Sequence, residues 1–303
     1  MLLVYRRVSG MRSLFQVLRP VLVANIASFC GYPDLVGVVI LGGASLRKQS
    51  LDQHSDLDAS IFVSVPDAAG ISPLALRSYI DHSQDRLPQW LPDFSQIVQV
   101  PAHPLAQVEI NIHQQIYEIE VRSDVQWDEA KKQSYAASGE IFYDPHGLVR
   151  RLIGEKIRWN DEDARRVLLR ILGQAKWYGM INPRRQLDRG SVLSAMNLLA
   201  DAADLLIHAL FLVNREYRPH TKWRIDAAIH LPLLPPDFPA RISTLYHAIV
   251  EAESIIVRTE VFEALLEDVT EIARREYSFT GDPYRLSCYE SFLDRQLLRR
   301  NHE

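Results

Sequence analysis

Val38-Val39-Ile40-Leu41-Gly42-Gly43-Ala44-Ser45, followed by Ser55-Asp56-Leu57-Asp58-Ala59-Ser60-Ile61-Phe62-Val63, is the stretch on which the reading of this chain turns. An apolar run ends in two glycines, and about a dozen residues later a second apolar run opens with two aspartates. Short β-rich runs bounded by Gly, Ser and Asp are strand signals. Residues i and i+2 of a strand project from one face, so Asp56 and Asp58 point together while Leu57 and Ala59 turn away. Two adjacent carboxylates repel unless something neutralises them. A divalent cation does so, and Mg²⁺ typically takes one or two carboxylates plus substrate phosphates. Gly42 and Gly43 lack a Cβ, so their backbone N–H groups can approach a phosphate closely. A Gly pair alone is most often a turn, and an Asp-x-Asp alone is most often solvated or capping. In this order, each attached to an apolar strand, the two together are far more specific.

Outward from this segment the chain has two textures. Val36–Leu41, Leu57–Val65, Ile97–Val100, Gln107–His113 and Ile116–Val121 read as strands separated by turn residues. A helix is expected over Met11–Cys30 and another over Leu74–Leu87. Beyond the turn Tyr143-Asp144-Pro145-His146-Gly147, apolar residues recur at helical spacing in Val149–Trp159, Glu162–Met180, Val192–Asn214, Ile242–Val257 and Val261–Tyr277. Asp161 and Asp188 stand where N-caps would serve, and Pro183 and Pro219 fall in breaks. The expected class is α+β: a mixed-sheet domain over residues 1–146 with flanking helices, then an all-helical bundle over residues 147–303.

Composition bounds the function. The 303 residues are 47% hydrophobic and 24% charged, with a formal net charge of -4. That charge argues against a protein that coats nucleic acid through bulk electrostatics. The two cysteines, Cys30 and Cys288, are too far apart and too few for a zinc site and suit a reducing compartment. The apolar stretch Val21–Cys30 behind Arg6, Arg7, Arg12 and Arg19 mimics a secretion signal. It equally fits a helix packed on a sheet and leads directly into the glycine–aspartate segment. No other run is read as reaching the roughly 18 apolar residues that cross a membrane. The expectation is a cytoplasmic protein with no membrane partner.

These residues resemble the nucleotidyltransferase superfamily that includes DNA polymerase β and the aminoglycoside and lincosamide nucleotidyltransferases. Its signature is a strand, a Gly-Gly or Ser-Ser-like pair, then a hydrophobic strand bearing Asp-x-Asp, often after Ser. Leu41-Gly42-Gly43-Ala44-Ser45 and Ser55-Asp56-Leu57-Asp58 carry the likeness. Ala44 departs from it, standing where Ser is frequent, so Ser45 is taken as the phosphate-contacting hydroxyl over Ser50. The resemblance implies a third carboxylate on a later strand. In Gln107-Val108-Glu109-Ile110-Asn111-Ile112-His113, Glu109, Asn111 and His113 share one face. Glu109 is the first candidate, with Glu118 and Glu120 as rivals.

A second likeness lies in Asn214-Arg215-Glu216-Tyr217-Arg218-Pro219-His220-Thr221-Lys222-Trp223 with Leu231-Pro232-Leu233-Leu234-Pro235, and in Ile141–Gly147. Both resemble the helical region and domain junction of small-molecule nucleotidyltransferases, which implies that Lys222 contacts nucleotide phosphates. Lys222 reads equally well as a surface lysine beside a packing tryptophan. From Val149 to Arg189 basic residues outnumber acidic ones by about two to one, which suits solvated helix faces or an electropositive wall. His54, beside the aspartates, reads as a loop residue rather than a ligand.

The resemblance implies transfer of a nucleoside monophosphate from ATP to an acceptor hydroxyl, with release of pyrophosphate. Asp56, Asp58 and Glu109 would hold Mg²⁺, two ions in the usual arrangement, and Gly42, Gly43 and Ser45 would position the phosphates. A hydroxylated small molecule is the expected acceptor and nucleic acid an unlikely partner. Protein or RNA modification of the toxin–antitoxin type, and a degenerate nucleotide-binding regulatory module, remain as alternatives.

Overall fold

The computed structural model describes residues 14–51, 55–71, 87–100, 107–247 and 249–286. The helix expected at Leu74–Leu87 lies outside them but for its last residue, as do His54 and Cys288. The chain divides into two compact units, Met1–Arg158 and Trp159–Glu303. Both the mixed sheet and the abundance of helix agree with the expected α+β class.

The first unit is built on five strands: β1 (Leu35–Leu41), β2 (Leu57–Val63), β3 (Ser95–Gln99), β4 (Gln107–Ile116) and β5 (Glu140–Tyr143). Their order is β3-β4-β2-β1-β5. Only β2 and β4 run parallel; the other pairs are antiparallel. β1 is buried along its whole length because both faces of the sheet are covered. Helix α1 (Leu14–Ala27) sends Leu18, Leu22 and Ile26 into the core with Val38, Ile40, Leu57, Ala59, Ile61, Ile110 and Ile112. On the opposite face Val39, Leu41 and Phe62 pack with Trp127, Tyr135, Val149, Leu152 and Ile153. Each Val, Leu, Ile or Phe among them, when fully buried, contributes about 1.5–3 kcal/mol.

Two elements differ from the sequence expectation. Ile116–Val121 is no strand: β4 ends at Ile116 and Tyr117–Glu120 forms a single helical turn, α2. Glu118 fixes it there, accepting from Ser64 Oγ at 2.6 Å and from the Val65 N–H at 2.8 Å. The second is the junction, expected at residue 146 and found at 158. Helix α4 (Leu148–Lys156) follows the Asp144–Gly147 turn but buries Val149, Leu152 and Ile153 against the sheet, which keeps it with the first unit. Between α2 and β5 stands α3 (Glu129–Ser138), capped by Asp128, whose carboxylate accepts from the Lys131 N–H.

In the second unit α5 (Asp161–Lys176) is capped by Asn160, one residue before the expected Asp161. A π-helical turn, Trp177–Ile181, follows before α6 (Asn182–Asp188). Pro183 has no N–H for the carbonyl four residues back, which accounts for the widened turn. Gly179 sits against the Phe262 ring, so closely that an added Cβ would fall 2.1 Å from Cε1. Helix α7 (Val192–Val213) is long and apolar enough to cross a membrane by length and composition, contrary to the sequence reading. It is the buried centre of this unit, packing Leu199, Ala202, Ala203, Leu206, Ile207 and Leu210 into the core.

After the short α8 (Arg224–Ala228), Ile242–Val257 proves discontinuous as a helix. α9 (Phe238–Leu245) ends, and α10 (Ala252–Tyr277) begins after a gap. Buried Arg258 donates to the carbonyls of His247 and Ile249, both at 2.8 Å, giving them partners outside any helix. Tyr277 closes the far end, its hydroxyl donating to the Leu212 carbonyl at 2.8 Å.

Candidate active site at the Gly42 turn

The ladder places the candidate residues. Leu41 at the end of β1 pairs with Asp58 at the start of β2, and Asp58 pairs on its other side with Asn111 of β4. Since i and i+2 share a face, Asp58, Asn111 and His113 project on the side that carries Val39, Leu41 and Phe62. The Asn111 amide donates to Asp56 Oδ2 at 3.1 Å and lies 3.5 Å from Asp58 Oδ1. His113 Nε2 is also 3.5 Å from Asp58 Oδ1, and the imidazole meets the Phe94 ring edge-on at 5.2 Å between centroids. Among the described residues neither aspartate meets a lysine or arginine.

β1 leads into a 3₁₀ turn, Gly42–Ala44. Gly42 has φ +62°, a conformation that disfavours L side chains, and a Cβ there would lie 3.3 Å from Asp58 Oδ2. Glycine therefore keeps the space beside that carboxylate open. Gly43 answers a different need: a Cβ on it would fall 2.8 Å from the Ser50 carbonyl oxygen, inside the returning loop. The loop is clamped to the end of α3 and the start of β5. The Gly42 N–H donates to Ser138 Oγ at 2.8 Å, and the Leu46 N–H to Glu140 Oε2 at 2.6 Å. The Arg47 guanidinium donates to the Ala136 and Gly139 carbonyls, and Glu140 also binds Arg19.

The sequence candidates are thus distributed unevenly. Gly42, Asp56 and Asp58 come together. Ser45 is completely buried, and its hydroxyl accepts from the Arg47 N–H at 3.1 Å, which turns it inward to the loop. The expected approach of the Gly42 N–H to a phosphate meets the same obstacle, because Ser138 holds it. Glu109 is exposed on the same face of β4, its carboxylate accepting from Ser95 Oγ at 2.5 Å on the β3 side. Its rivals are removed: Glu118 is bound to Ser64 and Val65, and Glu120 to Lys131 at 2.9 Å and to the Trp127 indole. Ser64 is six residues beyond Asp58, about 20 Å along an extended strand.

Lys222 lies in the second unit on the turn Thr221–Trp223, exposed, with its ammonium 5.5 Å from the Trp223 ring centre. The surrounding segment is pinned to α7, since Arg218 and Arg224 both pair with Asp204. Several basic residues of the 149–189 run are engaged by acids: Arg166 by Asp163, Lys176 by Asp282 and Arg184 by Glu263. Lys156 donates to the Arg122 and Val125 carbonyls.

Asn111, Ser138 and Glu140 were not identified from sequence as site residues. Asn111 carried a signal, its place on the Glu109 face. Ser138 and Glu140 carried none, being joined to the loop across more than ninety residues. As a cation site, Asp56 and Asp58 offer two carboxylates and the open space kept by Gly42. Among the described residues no group of three or more His, Cys, Asp or Glu side chains forms a cation cage. Two carboxylates completed by substrate phosphates are an arrangement Mg²⁺ accepts.

The family described as a domain of unknown function (DUF4037) matches residues 127–224. No curated protein matches the chain. Among solved structures the chain is similar to a nucleotidyltransferase-like protein from Exiguobacterium sibiricum 255-15, at 12% identity and a TM-score of 0.41, over 87% of this chain and 78% of that one. It is also similar to an aminoglycoside 6-adenyltransferase from Bacillus subtilis, at 9% identity and a TM-score of 0.37, over 93% of this chain and 97% of that one.

Proposed function

We propose that this protein is a divalent-cation-dependent nucleotidyltransferase that moves a nucleoside monophosphate, AMP from ATP, to a hydroxyl of a small-molecule acceptor and releases pyrophosphate. The observation that supports this reading is the convergence of Asp56, Asp58 and Gly42 where β1 ends and β2 begins. Asp56 and Asp58 would hold Mg²⁺, which when bound supplies charge neutralisation at the triphosphate. Gly42 leaves room for a phosphate oxygen against the Asp58 carboxylate. Glu109, exposed two residues from Asn111 on the same face, is the proposed acceptor of the hydroxyl proton. ATP and the acceptor class are carried by the family resemblance.

A second reading, nucleotide binding without turnover, has its own support. The Ser45 hydroxyl and the Gly42 N–H are engaged within the protein, which leaves the phosphate cradle poorer in donors than the sequence suggests. One screen separates the two. Labelled ATP and GTP are offered with Mg²⁺ and a panel of hydroxylated small molecules, and pyrophosphate release is scored for wild type and Asp58→Asn. Acceptor-dependent release by wild type alone supports transfer. Cation-dependent nucleotide binding with no release under any acceptor supports the second reading.

A further inference from the structure

The place where a third acidic group would be looked for, directly across the ladder from Asp58, is occupied by an uncharged residue. Asn111 is the register partner of Asp58 on the parallel strand β4, and its amide nitrogen faces both aspartates, at 3.1 Å from Asp56 Oδ2 and 3.5 Å from Asp58 Oδ1. Glu109 precedes it by one same-face step and is turned toward Ser95. An amide NH₂ has two protons, so one group can serve two acceptors. Two carboxylates side by side repel when charged, and a shared donor offsets part of that by bonding to both.

We propose that Asn111 is a positioning residue: its amide holds the Asp56 and Asp58 carboxylates side by side, in register for a divalent cation, without adding a third negative charge. This rests on the reading of the two aspartates as the cation site. It assigns to an asparagine the third place, for which the sequence offers Glu109, Glu118 or Glu120, and it leaves the acceptor side to Glu109, whose carboxylate accepts from Ser95 Oγ.

The test uses the full chain and reads thermal unfolding in chelator and across a Mg²⁺ titration, with no activity required. Asn111→Asp is nearly isosteric but puts a third carboxylate in contact with the first two. In chelator its Tm should fall by about 2–4 °C. Mg²⁺ should restore most of that loss, with half-saturation at about tenfold lower concentration than in wild type. Asn111→Ala removes the shared donor and adds no charge. Its Tm in chelator should fall by a smaller amount, and its rise with Mg²⁺ should exceed that of wild type, which keeps the test open should the aspartate variant not fold. Should both variants show the wild-type rise and half-saturation, Asn111 is a structural residue and the proposal is overturned. A Mg²⁺ response in Asn111→Asp but not in wild type upholds the place of Asn111 while overturning the view that two aspartates suffice. No response in any of the three overturns both.

Discussion

At the far end of β2, Glu118 is enclosed: Ser64 Oγ and the Val65 N–H take one carboxylate oxygen each, and the pair of bonds pins α2 to the strand. At the near end Asp56 and Asp58 share one amide, and an imidazole stands 3.5 Å from Asp58. The two ends belong to one strand and carry the same chemical group, yet one carboxylate is satisfied by its own fold, while among the described residues the other two meet one shared amide and one imidazole. Glu120 and Glu140 follow Glu118, the first held by Lys131 and the Trp127 indole, the second by Arg19 and the Leu46 N–H. Carboxylates that the fold consumes are structural. A pair it gathers beside an open glycine and leaves to repel is where an external cation has most to offer.

Substituting the carboxylates themselves separates the two ends most sharply. Glu109→Gln should slow single-turnover pyrophosphate release by about 10²–10⁴-fold with little change in nucleotide affinity, as expected for loss of a general base. Glu118→Gln should leave the rate alone and lower stability by about 1–3 kcal/mol in thermal unfolding, because it disturbs a charged acceptor of two hydrogen bonds. If Glu118→Gln is the inactive enzyme and Glu109→Gln the active one, the two ends of β2 have been assigned the wrong way round.

Gly42→Ala sharpens the near end. The positive φ costs an L residue about 1–2 kcal/mol, and the new Cβ lies 3.3 Å from Asp58 Oδ2. Stability should drop by that amount, and the Mg²⁺-induced rise in Tm should shrink because the space beside the carboxylate is filled. A variant with a wild-type Mg²⁺ response would show that the space is not used.

Ser138→Ala removes the acceptor of the Gly42 N–H and should cost about 1 kcal/mol, read by denaturant unfolding. A smaller loss would mean that the clamp on the loop is carried by Leu46 and Arg47 instead. The smallest effect is expected at exposed Lys222. Lys222→Ala should leave stability within about 0.5 kcal/mol, and a larger loss would mean that the place of its ammonium beside the Trp223 ring is structural.

Much of the near end was legible in the sequence, and the reason is local. The runs over Val36–Leu41 and Leu57–Val65 are apolar and β-branched, and the i, i+2 rule puts Asp56 and Asp58 together from two residues of information. The far end was misread for the same reason. Ile116-Tyr117-Glu118-Ile119-Glu120-Val121 mimics a strand over too few residues for its period to be decisive, and what makes it helical is a pair of bonds to Ser64 and Val65, more than fifty residues away. The sequence presents the Ser45 hydroxyl as a phosphate ligand, because its burial depends on how the loop returns over Gly43 at Ser50. Asn111 lay on a face that was read correctly, but its pairing with Asp58 needs the parallel register of β2 and β4, which no local pattern supplies. The helical unit shows the same division: α7 was found by its period, while the break before α10 hangs on the buried guanidinium of Arg258.

Asp56 and Asp58 are proposed as a cation site for a nucleoside triphosphate. Calorimetric titration of ATP into wild type and Asp58→Asn, each with Mg²⁺ and with chelator, tests it most directly. Wild type should bind ATP with a strong dependence on Mg²⁺, and Asp58→Asn should lose that dependence. Its Tm in chelator should be equal to wild type or slightly higher, because one of two repelling charges has been removed. An Asp58→Asn protein that folds normally and binds ATP with the wild-type Mg²⁺ dependence would contradict the account.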